Sequence, residues 1–461
     1  MSVSDVVAAV KFANKWNLRI SIKNTGHDFL GKNLGYGSLG IWVHNLKGIK
    51  WSNDWTPTAT TQSQRLDKSN NIFENTTAQS VVIYGGGIQW KDLYSAAYTQ
   101  KKIVTGGTSG SVGAAGGWLQ GGGHGFFSNY KGLGVDNVLE FEVVLPTGEV
   151  AIANKNSHPD LFWALRGGGG GTWGIVTKVT MKTHDPTTLN GIKISVTPGS
   201  SGNAGYLKGM AYLLSVMPEW CDYGISGYPL MYSNIFRTLL SAPGKTMDEM
   251  NKFLDPYGKN LTAMGLKVTS YPVPDALNTL LISLNLALND GLTEITEGDA
   301  GIMASRLLGR KGLQDVDGMA KVLGELFANG HVLEPFNIAG GAVEKSKEST
   351  GLNPAWRDAI VHMSILPLNQ SKFTTNRQVL QSYVATQADI SMLDKFSVQS
   401  AAYLNEASYL EPDWQKTFWG SNYPRLLKIK QKYDPNNTLW CYPCVGSEVF
   451  TRKDDGKLYI T

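Results

Sequence analysis

Residues 112–125 read VGAAGGWLQGGGHG, and they form the densest part of a glycine-rich stretch that extends from residue 81 to residue 179. The same stretch contains three glycines at residues 85–87, two at residues 106–107 and five directly after Arg166. Glycine has no Cβ and tolerates positive φ, so main-chain N–H groups in such a stretch can surround phosphate or ring oxygens. The pattern therefore indicates a site for a large phosphorylated cofactor.

A flexible linker is the simplest alternative explanation for a run of five glycines. The segments between the glycines argue against it, because residues 139–145 (LEFEVVL), 161–165 (LFWAL) and 175–179 (IVTKV) are apolar and typical of buried strands. Linkers do not carry such patterns. The glycine-rich stretch is therefore predicted to belong to a packed domain.

The composition is that of a large globular protein with a small partner. The chain has 461 residues, of which 42% are hydrophobic, and we expect two domains. The net charge is only +4 and the basic residues are scattered, so neither nucleic acid nor an anionic membrane is expected as a partner. The longest apolar candidate for a membrane span, residues 280–288, is interrupted by Asn285 and falls short of the roughly 18 residues required.

The three cysteines, Cys221, Cys441 and Cys444, are too few for a disulfide scaffold. The Cys-x-x-Cys spacing of the last two is compatible with a redox dithiol, but residues 445–450 (VGSEVF) do not have the helical pattern that such a site requires. A redox role is therefore disfavoured.

Common nucleotide and metal motifs can be tested directly. Two G-x-G-x-x-G matches, at residues 35–40 and 169–174, continue into strand-like segments and not into a helix, and a near-match to a phosphate loop has Asn33 in place of Ser or Thr. The seven histidines are too dispersed along the sequence to predict a metal cluster. FAD, held by a glycine-rich fold of another kind, is then the best candidate for the cofactor.

Five motif regions occur in an order that is recognisable. They are residues 22–29 (IKNTGHDF), 113–117 (GAAGG) with 121–124 (GGGH), 160–169 (DLFWALRGGG), 422–426 (NYPRL) and 433–437 (YDPNN). Together they resemble the FAD-linked oxidases of the vanillyl-alcohol-oxidase type. The C-terminal part is similar to the berberine-bridge-enzyme subgroup, and the motif sequences are most similar to those of its fungal members. The resemblance spans nearly the whole chain.

The resemblance implies an α+β fold with a two-part FAD-binding domain of the PCMH type. Its first part would be residues 1–190, its second part the berberine-bridge-like segment 411–461, and the substrate domain 191–410 would be inserted between them. The middle region agrees with an antiparallel sheet covered by helices, because helical patterns (residues 247–254, 304–308 and 319–327) alternate with a strand-like run at residues 281–288. Residues 414–419 and 423–432 have helical patterns.

The resemblance also implies the cofactor site. His27 lies where this family joins the flavin to an imidazole nitrogen, and a neutral imidazole is a competent nucleophile near pH 7. Some members add a second link through a cysteine, but this chain has Ser109 there, so we expect a single covalent link through His27. The second-link position aligns with Ser109 or a neighbouring residue of the stretch 108–112. The other implied cofactor-binding residues are Lys23, Asn24, Thr25, Gly26, Gly106, Gly107, Thr108, Ser109, Ser111, Val112, Gly113, Gly116, Gly117, Gly122, Gly123, His124, Gly174, Ile175 and Val176.

Residues expected to face the flavin are Tyr403, Asn405 and Glu406, with Asn422 and its neighbour Tyr423 in the C-terminal segment. Glu406 is either a general base or a structural ion-pair partner. The expected activity is hydride transfer from a small organic substrate (an alcohol, an amine or an intermediate of fungal specialised metabolism) to FAD, with O2 reduced to H2O2. A non-redox cyclisation and a dehydrogenase that uses another acceptor remain alternatives, and no metal is predicted.

Family members usually begin with a further strand, often after a signal peptide, ahead of the helix that opens this sequence. We therefore expect either a truncated form or another element that covers the sheet edge. Secretion is expected for the first case and a cytoplasmic location for the second. The sequence does not specify an oligomeric state.

Overall fold

The computed structural model describes residues 1–58, 78–273, 301–368, 370–453 and 457–460. Helices and antiparallel sheets alternate along these residues, which confirms the predicted α+β class. The strand-like run predicted at residues 281–288 lies outside the described residues. None of the described helices is both long and apolar enough to cross a membrane.

The chain opens with a helix, Val3–Lys15, whose first turn is closed by a reciprocal pair of hydrogen bonds. The Ser2 hydroxyl accepts from the Asp5 N–H, and the Asp5 carboxylate accepts from the Ser2 N–H. The helix is followed by two parallel strands, Ile20–Lys23 and Leu39–Trp42. The loop between these strands carries most of the first predicted cofactor motif.

The first large sheet has five antiparallel strands, and the glycine-rich stretch supplies the loops around it. Its strands, in spatial order, are Ile49–Trp55, Gln79–Gly85, Ile175–Lys182, Val138–Val144 and Val150–Asn154. The helices in this region are Trp90–Thr99, Gly117–Gly121, Ser128–Lys131, Gly134–Asn137 and Pro159–Leu165.

The structure corrects the strand interpretation of residues 161–165, which lie in the helix Pro159–Leu165. All five side chains are buried. Because residues 161–165 are covered on every face, they lack the polar positions that would reveal a helical period, and Pro159 and Asp160 in the first turn were the local signals.

The second large sheet is also antiparallel. Its strands, in spatial order, are Leu266–Val273, Leu189–Pro198, Phe236–Pro243, Leu230–Met231, His331–Phe336, Ala359–Pro367 and Ala304–Gly309, and Ser226–Gly227 pairs separately with Phe236–Pro243. The helices of this region are Gly202–Tyr223, Met247–Ala263, Arg310–Leu313, Val316–Ala328, Gly341–Lys345 and Asn376–Ile390.

Two of the three helices predicted in this region are confirmed and one is wrong. Met247–Ala263 and Val316–Ala328 contain the predicted segments 247–254 and 319–327. Residues 304–308 instead belong to the strand Ala304–Gly309, whose six residues are all buried. A short segment that is buried on both faces lacks the alternation that distinguishes a strand from a helix, and here the polar Ser305 and Arg306 are buried as well.

The C-terminal segment returns to the first sheet. Its helices Trp414–Trp419 and Tyr423–Tyr433, both predicted, contribute Phe418, Trp419 and Leu426 to the apolar cluster that surrounds that sheet. A second cluster, with members from Ile192 to Phe396, surrounds the second sheet. The domain boundaries at residues 190 and 410 stay predictions.

Smaller elements complete the described fold. Cys441 and Cys444 form a disulfide, and the strands Phe450–Arg452 and Leu458–Ile460 form a hairpin. The 3-10 helices are Val43–Asn45, Pro354–Arg357, Gln370–Lys372, Ser391–Phe396, Leu404–Glu406, Gly420–Asn422 and Ser447–Val449.

Candidate active site and cofactor cradle

The loop after the strand Ile20–Lys23 brings His27 against the glycine-rich stretch. Gly26 has φ of +109°, a conformation that favours glycine, and it turns the chain directly before His27. The imidazole Nε2 lies 2.8 Å from the Ser111 hydroxyl, and the Ser109 hydroxyl lies 3.3 Å from that of Ser111. Two segments predicted to bind the same cofactor are therefore in contact.

His27 also lines a cavity of about 590 Å³. Gly26 and Asp28 contribute to its wall, and Tyr383, Tyr409 and Tyr442 line it from later parts of the chain. The residue predicted to anchor the flavin thus faces a space that segments from the second sheet region and the C-terminal segment also border.

Asn24 is held against the second glycine motif. Its side-chain amide donates to the Gly86 carbonyl at 2.6 Å, and a Cβ at Gly113 would lie 2.3 Å from its Oδ1. That Oδ1 is buried and accepts no hydrogen bond among the described residues. A buried acceptor without a donor fits a ligand that carries hydroxyl or N–H groups, and FAD carries both.

Glycine is required at several further points of this cradle because other parts of the chain approach closely. A Cβ at Gly107 or at Gly123 would lie within 3 Å of the Trp118 indole, and Gly123 also has φ of +79°. The Gly107 carbonyl accepts from the Tyr94 hydroxyl at 2.6 Å. Gly106, Gly107 and Thr108 therefore form a loop packed beside Trp118.

The last predicted cofactor segment begins the strand Ile175–Lys182. Gly174 precedes it with φ of +159°, and a Cβ at Gly86 would lie 2.4 Å from the Val176 carbonyl oxygen. Gly86 therefore contacts both this segment and Asn24. The predicted cofactor segments around Asn24, Gly113 and Val176 converge on one region of the first sheet.

Beside this cradle lies a cluster of three titratable side chains. The Glu406 carboxylate places Oε1 3.2 Å from His124 Nε2 and Oε2 3.4 Å from His362 Nδ1. The other ring nitrogen of His124 lies 2.8 Å from the Tyr228 hydroxyl. One potential ligand atom from each of His124, His362 and Glu406 lies within 4.8 Å of the other two. This trio could therefore hold a metal ion.

This arrangement corrects the inference that the histidines are too dispersed for a metal cluster. His124 follows the helix Gly117–Gly121, His362 lies within the strand Ala359–Pro367, and Glu406 ends the 3-10 helix Leu404–Glu406. The two imidazole centroids are 5.4 Å apart. Separation along the sequence was a poor guide, because each residue belongs to a different element and only the tertiary fold brings them together.

The protonation of the trio follows from burial and mutual attraction. Burial favours the neutral form of Glu406, but His124 and His362 outweigh it and lower the pKa of the carboxyl. Burial lowers the pKa of His362 to about 4, so its imidazole is neutral near pH 7. The ionised Glu406 carboxylate therefore lies next to the neutral imidazole of His362.

A second carboxyl, Glu334, lies on the neighbouring strand. It accepts from the Ser364 hydroxyl at 2.6 Å, and the strand register places Phe336 opposite His362. Burial raises the pKa of Glu334 to about 7, against the opposing hydrogen bond from Ser364. This side chain can therefore exchange a proton near neutral pH.

Tyr403 and Asn405 connect the trio to the cradle. The Asn405 amide donates to the Gly117 carbonyl at 2.8 Å and to the Tyr403 hydroxyl at 2.7 Å. The Tyr403 ring makes an edge contact with His124. These two predicted residues lie between Glu406 and the helix Gly117–Gly121.

Asn422 and Tyr423 make a different set of contacts. The Asn422 amide donates to the carbonyls of Leu352 (2.7 Å) and Thr350 (3.3 Å), and the Tyr423 hydroxyl donates to the Glu448 carboxylate. Asn422 therefore ties the C-terminal helix to a loop of the second sheet region. The structure does not bring it together with the trio through any described hydrogen bond.

Sequence reasoning missed His362, Glu334 and Tyr228. Both His362 and Glu334 interrupt apolar strand patterns, AIVHMSIL and HVLEPF, and a polar residue inside a buried strand was the signal available. Tyr228 offered no comparable signal.

Comparison with known proteins gives similarity to two separate parts of the chain. The family described as "Berberine and berberine like" matches residues 402–443, and the family described as "FAD binding domain" matches residues 65–154. An uncharacterised FAD-linked oxidoreductase of Arthroderma benhamiae is 35% identical, with 97% of this chain and 76% of the relative covered. The VAO-type flavoprotein oxidase VAO615 of Thermothelomyces thermophilus is 31% identical, with 99% and 76% covered.

Solved structures agree with these similarities. The crystal structure of the VAO-type flavoprotein MtVAO713 from Myceliophthora thermophila C1 has a TM-score of 0.88 at 28% identity, with 100% of this chain and 81% of that chain covered. Glucooligosaccharide oxidase from Acremonium strictum, whose FAD is described as 6-S-cysteinyl and 8α-N1-histidyl, has a TM-score of 0.76 at 20% identity, with 97% and 90% covered. The latter identity is low enough that it supports the fold alone.

Proposed function

We propose that this chain, which belongs to the FAD-linked oxidoreductases of the vanillyl-alcohol-oxidase type with a berberine-like C-terminal segment, is an oxidase of a small alcohol or amine that reduces O2 to H2O2. The observation that carries this proposal is the placement of Glu406, His124 and His362 beside the helix Gly117–Gly121. In this proposal the flavin ring lies against the main chain of the glycine-rich stretch beside this trio.

The chain's own residues would hold the cofactor in two ways. The Oδ1 atom of Asn24 accepts no hydrogen bond among the described residues and could accept one from the cofactor. The loops at residues 106–113 offer main-chain N–H groups for the pyrophosphate. His27 would form a single covalent bond to the flavin, because Ser109 provides a hydroxyl where a second link requires a thiolate. A histidyl link of this kind is described for glucooligosaccharide oxidase.

Bound FAD supplies the acceptor for a hydride from the substrate C–H bond and the route by which two electrons reach O2. Glu406 takes the proton that the substrate O–H or N–H group loses in the same oxidation, so that a C=O or C=N bond forms. Its Oε2 accepts no hydrogen bond among the described residues and is therefore available as the acceptor. His124, held by Tyr228, positions the carboxylate through Oε1.

The test is reduction of the purified holoenzyme without oxygen, followed by admission of air. An oxidase reoxidises within seconds and releases one H2O2 per flavin, whether dithionite or a substrate served as the reductant. The variant Glu406→Gln is expected to be reduced slowly by substrate but to react with O2 at the wild-type rate after dithionite, because only the first half-reaction uses the carboxylate.

Two outcomes would contradict the proposal. Slow reoxidation that an artificial electron acceptor accelerates identifies a dehydrogenase. Substrate conversion at full rate without bleaching of the flavin absorbance, under anaerobic conditions, identifies a non-redox cyclase.

A further inference from the structure

His362 is a buried imidazole with unusual surroundings. Its side chain has 0% exposure, and neither ring nitrogen makes a hydrogen bond among the described residues. Burying polar atoms without hydrogen-bond partners costs free energy. By contrast, His331, the other buried histidine on this sheet, has Nε2 at 2.7 Å from the Asp389 carboxylate. The free energy cost at His362 requires a compensating interaction.

The Glu406 carboxylate lies near His362 but does not provide that interaction. Its Oε2 is 3.4 Å from His362 Nδ1, yet the geometry satisfies neither atom as a hydrogen bond. Both ring nitrogens of His362 therefore remain without a hydrogen-bond partner among the described residues. A cation bound between His362 and the carboxylate would supply one.

The three side chains lie near the spacing that a tetrahedral transition-metal ion requires. Bonds of roughly 2.0–2.1 Å from an ion to imidazole nitrogen and carboxylate oxygen put neighbouring ligand atoms about 3.3 Å apart in a tetrahedron. His124 Nε2 lies 3.2 Å from Glu406 Oε1, close to that value, whereas His362 Nδ1 lies 3.4 Å from the other carboxylate oxygen. One ligand atom from each of the three residues lies within 4.8 Å of the others, so the side chains must move closer together to share an ion.

The surroundings of His124 fit the same role. Metal-binding histidines usually fix the orientation of the ring by a hydrogen bond from the nitrogen that does not contact the ion. His124 turns Nε2 towards Glu406, and its Nδ1 lies 2.8 Å from the Tyr228 hydroxyl. Tyr228 is therefore placed to orient a ligand.

We propose that His124, His362 and Glu406 bind a divalent transition-metal ion of the zinc type, and that its open coordination position takes the hydroxyl oxygen of the substrate. Two imidazoles and one carboxylate are a typical set of three protein ligands for zinc in sites that keep a fourth position for water or substrate. This inference rests on the proposed function, which it narrows from alcohols and amines to hydroxylated substrates.

The ion leaves the balance of the reaction unchanged. It binds the hydroxyl oxygen and withdraws electron density from it, which favours loss of the hydroxyl proton. Glu406 binds the ion through Oε1, beside His124, and accepts the proton on Oε2, while the hydride leaves carbon for the flavin. The ion undergoes no redox change in this scheme.

The experiment measures metal content, independently of activity. Holoenzyme purified without a metal-affinity tag is stripped with a chelator, dialysed against Zn²⁺ alone and analysed for zinc and flavin. We expect one tightly held zinc per flavin. His362→Asn and His124→Asn should lose that equivalent, and Tyr228→Phe should retain it with an affinity lower by about 10- to 100-fold.

The matched control is His331→Asn, which removes a buried histidine of the same sheet outside the trio and should retain the zinc. Flavin absorbance and the thermal midpoint of each variant show whether it is folded. If wild-type protein retains no more zinc than folded His362→Asn protein, the metal site is refuted.

The substrate claim and the oxidase claim can fail separately. If the chelated enzyme oxidises alcohols at the same rate as the zinc-loaded enzyme, the inference fails and the proposed function stands. If zinc binds stoichiometrically but only amines reduce the flavin, the hydroxyl part of the inference fails. If zinc binds and the dithionite-reduced enzyme does not react with O2, the proposed oxidase function fails and the metal site stands.

Discussion

His27 is the residue at which covalent and non-covalent binding of the flavin can be separated. We expect His27→Ala to release its flavin into the supernatant after acid precipitation, whereas the wild-type flavin stays with the protein pellet, because no other predicted link remains. Ser109→Ala is the control and should keep the flavin bound, since its hydroxyl lies near Ser111 but forms no covalent bond in the proposal. Complete extraction of flavin from the wild-type protein would refute the covalent link.

Single residues also show what could be predicted from the sequence. The glycines at residues 113 and 123 and His27 belong to contiguous motifs, and a local backbone requirement leaves its mark in a local sequence. His362 and Tyr228 contact His124 only because the tertiary fold brings distant segments together. A single sequence contains no record of such contacts between distant segments.

Among the elements, the short helix Gly117–Gly121 offers a pair of substitutions that differ in one contact. A Cβ at Gly121 would lie 2.5 Å from the Asn405 amide nitrogen, whereas a Cβ at Gly117 would come no closer than 3.7 Å to Asn405. We expect Gly121→Ala to lower the free energy of unfolding by about 1–3 kcal/mol, as overpacking does. Gly117→Ala should leave it unchanged or raise it, because alanine favours a helix.

Chemical denaturation of both variants provides the measurement, with circular dichroism as the signal. Equal losses of stability in the two variants would show that Asn405 does not pack against this helix as described.

The segment after the strand Ile175–Lys182 gives a prediction of pH dependence. Burial, reinforced by Lys131 and Lys182, lowers the pKa of His184 to about 4, with Asp185 opposing. Between about pH 6.5 and pH 4 the unfolded chain therefore binds a proton that the folded chain excludes, so stability falls as the pH falls through this window. Below it both states are protonated and the penalty stays constant.

We expect His184→Gln, whose amide can still donate to Asn137, to weaken this fall. The measurement is the thermal midpoint of both proteins at pH 7 and at pH 4.5. Other groups contribute equally to both proteins, so an identical drop in the two would contradict the buried, neutral state of His184.

The strand Ala304–Gly309 and the helix Pro159–Leu165 show why some elements could not be predicted. All six residues of the strand and residues 161–165 of the helix are buried, so neither segment has the alternation of polar and apolar residues that distinguishes a strand from a helix. The helix Met247–Ala263 exposes one side and was predicted for that reason. Whether an element could be predicted from the sequence depended more on its exposure to solvent than on whether it is a helix or a strand.

At the scale of the whole molecule, Arg306 joins the second sheet to the C-terminal segment. Its guanidinium donates to Glu411 through two nitrogens, at 2.9 and 3.2 Å, and to Asp394 at 2.5 Å. The side chains of Arg306 and Glu411 are 2% and 4% exposed. Glu411→Gln should cost about 3 kcal/mol, the lower end for a broken buried pair, because Asp394 still compensates part of the charge.

The control for this prediction is Arg310→Met, which removes ion pairs with Asp222 and Glu344 between partly exposed side chains. It should cost at most about 1 kcal/mol. Equilibrium denaturation in urea compares the two, and the prediction fails if Glu411→Gln is no more harmful than Arg310→Met.

The apolar cluster around the first sheet draws on two parts of the chain, from Leu30 to Met181 and from Ala402 to Val445. A ribosome makes the first part long before the second, and the complete set of residues for the second cluster emerges in between. The region that binds flavin is therefore the first to be synthesised and the last that can close. Until then Leu161, Trp173 and their neighbours lack the partners that cover them in the finished protein, and a nascent chain needs protection from aggregation for that whole interval.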